Sequence, residues 1–282
     1  MRARDLWRLL KLAAKHWYAD AVPRYSASLA YYTFFSMAPL ITISIAISGI
    51  FFGADASAGR IHQQLEAFMG PDTAQAVEAV VRGAWKPGKD VWAVVLGSLT
   101  LLIGAIGVLN ELKGALHAIW GVKGPSSVKV IVINQTKVMG FLLGIGFLLV
   151  VSLIFSALLA ALGQVCSAWL PWPELLLHAL DLIVEWGMII FVFAAIFKWL
   201  PDARIAWKDV WTGAAFTSFL FLAGKFLLSF YLGKSGISSV YGAAGSLSVI
   251  LVWVYYSALI FYFGAEFTKV YANTYGSRVK NS

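Results

Sequence analysis

The sequence predicts an all-α polytopic membrane protein: six transmembrane helices, an N-terminal interfacial amphipathic helix and an outer helical hairpin. Three observations lead there. Hydrophobic residues make up 60% of the 282 positions and charged residues only 13%, too few charges to cover a soluble domain of this size. Mean hydropathy is +0.77. The apolar residues gather into six runs, 27–52, 91–110, 138–163, 182–200, 210–232 and 245–268, each near the roughly 20 residues that a helix needs to cross the hydrocarbon core. No connection between them is long enough for a separate soluble domain, so residues 1–282 read as one membrane domain.

The basic residues set the expected topology. With both termini on the inner side, the inner segments carry 16 Lys and Arg and the outer segments 5, with Lys225 inside a span. The positive-inside rule then puts both termini in the cytoplasm, so the net charge of +8 reflects orientation rather than nucleic-acid binding. The expected location is a bacterial cytoplasmic (inner) membrane.

Residues 1–26 form the cytoplasmic amphipathic segment. At 100° per residue Arg4, Arg8, Lys11 and Lys15 fall on one side of a helix, and Leu6, Leu9, Leu10, Ala13 and Trp17 on the other. Such a helix lies on anionic headgroups or packs on the bundle. Pro23 is expected to separate it from the first span. That span starts too late and runs too long for a cleaved signal peptide. Ser28, Tyr32, Ser36 and Pro39 lie along one of its sides. Hydroxyls facing the bundle hydrogen-bond across helices or line a polar cavity, and Pro39 frees the carbonyl of Phe35 and kinks the helix.

Segment 53–90 reads as the outer helical hairpin, with Ile61, Leu65 and Phe68 at helical spacing, a break at Gly70–Pro71 and a second helix after it. It serves as a cap or as a gate. The later spans carry close-packing spacings: Gly140 with Gly144, Gly213 with Thr217, Ala214 with Ser218, and Gly97, Gly104 and Glu111 every seven. These serve contacts within a chain and between copies equally, so a homo-oligomer stays open. Segment 164–181, with two Pro and two Trp, reads as an aromatic-anchored outer turn.

Several chemistries are excluded on pattern. The lone Cys166 permits neither an internal disulfide nor a Cys-based metal cluster. His16, His62, His117 and His178 have no partner at metal-ligand spacing. No phosphate-binding loop, nucleophile elbow or nuclease-type carboxylate cluster is present, so no metal, cofactor, nucleic acid or enzymatic activity is expected.

What remains is polarity inside the spans, where each ionisable group is a functional hypothesis. Lys225 and Glu185 both fall in outer halves. They pair, or line one outward-facing cavity, or Lys225 snorkels to the headgroups. Tyr255, Leu259, Tyr262, Glu266 and Lys269 form one stripe on the sixth span. Glu266 is either a structural interface carboxylate or a gate. Asn110, Glu111 and Lys113 sit at a similar inner depth and are expected to join the same inner polar network.

The motifs "SLAYYTFFSMAPL", "ALHAIW", "LPDARIAWKDVWTGA", "AGK", "YGAAGS" and "VWVYYSALIFYFGAE", in order along nearly the whole chain, resemble the YihY/BrkB family of bacterial inner-membrane proteins. One member of that family was once mislabelled ribonuclease BN. The resemblance implies six spans and cytoplasmic termini. Its pattern covers Leu29, Ala30, Tyr31, Ser36, Pro39, Gly224, Lys225, Tyr241, Gly242, Trp253, Tyr255, Gly264 and Glu266. His117 stands where relatives are expected to carry Asn, and Glu185 is not part of the pattern.

The family's associations with serum resistance and export of lipopolysaccharide precursors imply an envelope function. The leading expectation is a transporter or flippase-like protein for an anionic cell-envelope molecule, lipid-linked ones included. Lys225 would attract the anion, and Tyr32, Ser36, Tyr255 and Glu266 would line the path. Membrane lipids are its expected partners. The alternative is a non-transporting scaffold or assembly factor for envelope biogenesis.

Overall fold

The computed structural model describes residues 3–52, 59, 61–63, 65–66, 69–84, 91–122, 136, 140, 173–235 and 245–277. Seven helices carry the architecture: α1 (Ala3–Ala19), α2 (Val22–Phe52), α3 (Pro71–Ala84), α4 (Val91–Trp120), α5 (Pro173–Trp199), α6 (Trp207–Ser235) and α7 (Gly245–Thr274). No strand occurs among the described residues. Two helices there, Trp207–Leu232 and Gly245–Thr274, are long and apolar enough to cross a membrane. The expected span 138–163 lies almost wholly outside the described residues.

α7 is the central helix and packs against α1, α2, α3, α4 and α6. Lipid tails are as apolar as Leu, so helix association rests on close van der Waals fit. Small residues provide that fit. A Cβ added to Gly104 of α4 would lie 2.7 Å from the Ser36 Cβ of α2, and one on Gly107 would lie 2.6 Å from the Tyr32 ring. α5 reaches α7 through aromatic rings, with Phe197 and Phe193 at 5.1 Å and 5.8 Å from Phe261.

The boundaries differ from the sequence expectation in one instructive place. Pro23 does not separate α1 from α2; it sits in the first turn of α2, where a missing N–H costs nothing. The break falls at Asp20–Ala21, and Ala21 adopts the left-handed region with φ 53°. Pro39 falls inside α2, which runs on to Phe52, where the expected span ends. α4 extends past the expected 110 to Trp120 and closes on Gly121 at φ 64°. There Val122 N–H donates to His117 O at 2.9 Å and Gly121 N–H to Ala118 O at 3.2 Å, the paired bonds of a Schellman cap.

α1 turns Leu9 and Ala13 onto Phe267 and Val270 of α7, while Arg4, Arg8, Lys11 and Lys15 are exposed. Of the expected apolar side, Leu6 faces out. In the hairpin region, Gly70 at φ 85° makes the turn before α3. α3 then buries Thr73, Ala74, Ala76 and Val77, packing against α2, α6 and α7. His62 Nδ1 lies 3.2 Å from Glu78 Oε2 and links the two arms.

Candidate functional site

Charge collects at the end of the bundle where α1 meets α2, α4 ends, α6 begins and α7 ends. The α1–α2 corner is fastened to α7 at two points. Trp17 Nε1 donates to Leu259 O at 3.3 Å, and Lys269 Nζ donates to Asp20 Oδ2 at 2.9 Å. The same ammonium lies 3.3 Å from Glu266 Oε2. Burial pushes the Asp20 carboxyl up, but the Glu266 and Lys269 side chains, with the charges of Lys269 and His16, outweigh it. Asp20 is left below the ordinary carboxylate value.

Glu266 is the unusual member. Its residue is 0% exposed, and it shares the Lys269 ammonium, 3.3 Å from its Oε2, with the Asp20 carboxyl. Two carboxyls held by one ammonium in a buried place are costly and call for a reason. Further along the bundle, the Tyr262 hydroxyl, one turn before Glu266, and the Ser26 hydroxyl are buried without a hydrogen bond. Ser26 shares a helix face with Val22 and Leu29, which pack in the same cluster as Tyr262 and Ala265. Glu111 and Tyr25 are the ionisable neighbours of Tyr262.

His16, Asp20 and Glu266 each bring one metal-ligating atom within 4.8 Å of the others. Lys269 already lies against both carboxylates and supplies the positive charge that a cation would. The grouping is therefore an ion-pair cluster closed by an ammonium.

A second polar knot joins α4 to the α5–α6 loop. Lys113 Nζ lies 2.9 Å from Asp202 Oδ2, and His117 Nε2 lies 3.5 Å from the same oxygen. His117 Nε2 also accepts the Asp202 backbone N–H at 3.4 Å, which requires that nitrogen to be unprotonated. Burial first, then the Lys113 charge, hold the imidazole below its ordinary value against the pull of Asp202. Beyond the loop, buried Asp209 accepts from Ser277 N–H at 2.9 Å and Ser277 Oγ–H at 2.6 Å, tying down the chain after α7.

The residues named from sequence fall into distinct places. Tyr32 is partly exposed with its ring on Gly107; Ser36 is buried over Gly104. The Ser36 hydroxyl donates to Thr33 O of its own helix at 3.0 Å, not across to a neighbour. Pro39 and Glu185 lie on α2 and α5, but their side chains are outside the described ones. Lys225 is half-buried on α6, and Tyr255 is half-buried beside Trp253 and Val254.

The expected unit of Asn110, Glu111 and Lys113 does not hold together. Asn110 is exposed, Glu111 neighbours Tyr262, and Lys113 bridges to Asp202. Glu111 and Lys113 are two residues apart on a helix, and so point to nearly opposite sides. Asp20, His16, Asp202 and Ser26 carry no sequence signal beyond polarity near helix ends, which is common without function.

Comparison with known proteins extends this picture. The family described as Virulence factor BrkB matches residues 13–282. A UPF0761 membrane protein of Methylibium petroleiphilum is 26% identical over 262 residues, covering 91% of this chain and 60% of the relative. Its counterpart in Pseudomonas aeruginosa strain LESB58 is 24% identical over 259 residues, 90% of this chain and 60% of the relative. Another, in Albidiferax ferrireducens, is 28% identical over 247 residues, 85% of this chain and 56% of the relative. The chain thus spans about three-fifths of the length of these relatives. No solved structure matches it. With a helical bundle, two helices fit to cross a bilayer and relatives named as membrane proteins, the chain is a membrane protein that belongs to the BrkB family.

Proposed function

We propose that the chain is a six-span inner-membrane protein, with cytoplasmic termini, that moves an anionic cell-envelope molecule, lipid-linked ones included, across the bilayer. The observation that carries this reading is the Glu266 carboxyl, fully buried and sharing one ammonium, Lys269, with the Asp20 carboxyl. A static scaffold gains nothing from two carboxyls crowded on one buried cation, an arrangement that costs stability. A carrier does gain, because a carboxyl only half-served in one state is available to a proton, an ion or a substrate in another. On this reading Glu266, Asp20 and Lys269 form the inner gate. Tyr32, Ser36, Pro39, Tyr255 and Lys225, with Glu185, lie along the path.

The second reading, a non-transporting scaffold or assembly factor, is favoured by a different observation. α6 and α7 are locked by paired Gly–Thr contacts, and the α5–α7 contact is filled with tilted aromatic rings. The two are separated by reconstituting the purified chain in vesicles with fluorescent phosphatidylglycerol in both leaflets and bleaching the outer one. The carrier reading expects bleaching beyond half the label for wild type and not for Glu266→Gln. No excess over protein-free vesicles for this lipid or for an undecaprenyl-phosphate probe would favour the scaffold.

A further inference from the structure

The loop between α5 and α6 forms a groove of about 590 Å³ walled by Lys198, Trp199, Asp202, Arg204, Ile205 and Ser277. The groove is basic. Its carboxylate, Asp202, is already held by Lys113 at 2.9 Å, and Asp209 behind it is taken up by Ser277. Lys198 and Arg204 line the groove against its one paired carboxylate, and Lys208 opens α6 just beyond it. Lys198 is fixed in place, donating to Ile205 O and lying 5.6 Å over the Trp207 ring. Arg204 and Lys208 are exposed.

Beside the groove runs a ribbon of exposed rings. Trp199 and Trp207 meet at 5.5 Å, Trp207 and Trp211 at 6.3 Å, and Trp211 and Phe191 at 6.3 Å. Trp199 is 55% exposed and Trp211 42%. Tryptophans gather at the level of lipid headgroups, where an apolar ring and a polar edge are both served. From Trp211 an exposed apolar stripe continues along α6 through Ala215, Phe219 and Phe226. Those positions follow one face of a helix fit to cross a membrane. A basic groove thus sits at the head of an apolar track at acyl-chain depth.

We infer that this groove and track form a binding site for one anionic phospholipid. The phosphate lies in the groove against Arg204 and Lys198, the glycerol region against Trp207 and Trp211, and one acyl chain along Phe219 and Phe226. A cation near an anionic headgroup favours it where a zwitterionic lipid gains little, so the site discriminates by headgroup charge. The site is independent of the transport reading: it lies on the lipid-facing surface, apart from Glu266, and holds whether or not the chain moves a substrate.

The test is native mass spectrometry of the full chain in detergent micelles doped with equal amounts of phosphatidylglycerol and phosphatidylcholine. Wild type is expected to retain phosphatidylglycerol in preference. Arg204→Gln combined with Lys208→Gln, both on exposed side chains and so compatible with the fold, is expected to cut that retention by at least about fivefold and leave phosphatidylcholine unchanged. Arg204→Lys should keep most of it. Trp211→Ala should weaken both lipids. Equal retention of the two lipids by wild type, or undiminished phosphatidylglycerol on the double variant, would overturn the inference. Displacement of the lipid by an equivalent amount of glycerol 3-phosphate would overturn the acyl track and leave a phosphate site alone.

Discussion

Thr217 of α6 stands directly against Gly264 of α7, and the arrangement is returned nearby, where Thr268 of α7 stands against Gly213 of α6. A Cβ on either glycine would fall 2.7 Å from the facing threonine Cβ. Each threonine hydroxyl lies in the contact itself, nearest the facing glycine, and still donates to a carbonyl of its own helix, Thr217 to Gly213 O and Thr268 to Gly264 O, both at 2.7 Å. The hydroxyls are satisfied internally, so the whole threonine side chain can rest on bare backbone. Two helices can then approach closely without burying an unpaired group.

Gly264→Ala should therefore lower the melting temperature in detergent. Replacing an interior helical Gly by Ala ordinarily gains about 1 kcal/mol, but overpacking here costs roughly 1–3 kcal/mol. Adding Thr217→Ala removes the facing hydroxyl and methyl and should restore most of the loss. A double variant no better than Gly264→Ala alone would show that the contact does not set the α6–α7 distance.

Lys269→Met should be more damaging than Asp20→Asn. The lysine lies 2.9 Å from Asp20 and 3.3 Å from Glu266, so its loss leaves two carboxylates facing each other in a partly buried place. Breaking such a group by removing its shared cation costs about 2 kcal/mol or more, whereas Asp20→Asn leaves the ammonium to Glu266. Chemical denaturation of both variants in the same detergent checks the order. Adding Glu266→Gln to Lys269→Met should recover stability.

These contacts divide by how they were legible in the sequence. The spacing of Gly213 with Thr217, and the stripe of Tyr262, Glu266 and Lys269, could be read because helical period alone puts such residues on one face. Gly104 is legible in the same way, from its seven-residue spacing with Gly97 and Glu111. Which helix that face meets is set by three-dimensional crossing, and no period encodes it. Asp20 could not be matched to Lys269, 249 positions away, because it lies in a turn created by Ala21 rather than on a periodic face. Asp202, in the loop between α5 and α6, likewise lies on no periodic face that would match it to Lys113. Depth alone groups Asn110 with Lys113, and depth does not distinguish the sides of a helix.

The Lys113–His117–Asp202 knot should make the chain sensitive to mild acid. The unfolded imidazole titrates near 6.5, and the folded one lies below that. Between the two values the unfolded state binds more protons, so the stability His117 contributes is complete above the unfolded value and is lost as pH falls beneath it. Protonation also puts a hydrogen on Nε2, which then can no longer accept the Asp202 N–H. Melting followed from about pH 7.5 to about pH 5.5 should fall more steeply for wild type than for His117→Asn, which accepts the same N–H without titrating. Parallel curves would remove the knot as the acid-sensitive element.

Gly70→Ala should loosen the hairpin. Gly70 holds φ 85°, a backbone region that costs an L-residue roughly 1–2 kcal/mol, and its added Cβ would meet the Ser229 hydroxyl of α6 at 2.5 Å. The turn is thus fixed both by its own conformation and by its contact with the bundle. If it yields, the His62–Glu78 link at 3.2 Å and the buried face of α3 lose their alignment together. Limited proteolysis of the reconstituted chain should then cut within 60–90 several-fold faster in Gly70→Ala than in wild type. Ser229→Ala should relieve only the steric part, so Gly70→Ala with Ser229→Ala is expected to stay faster than wild type. Full return to the wild-type rate would mean that the side-chain contact, rather than the left-handed backbone, makes glycine necessary at the turn.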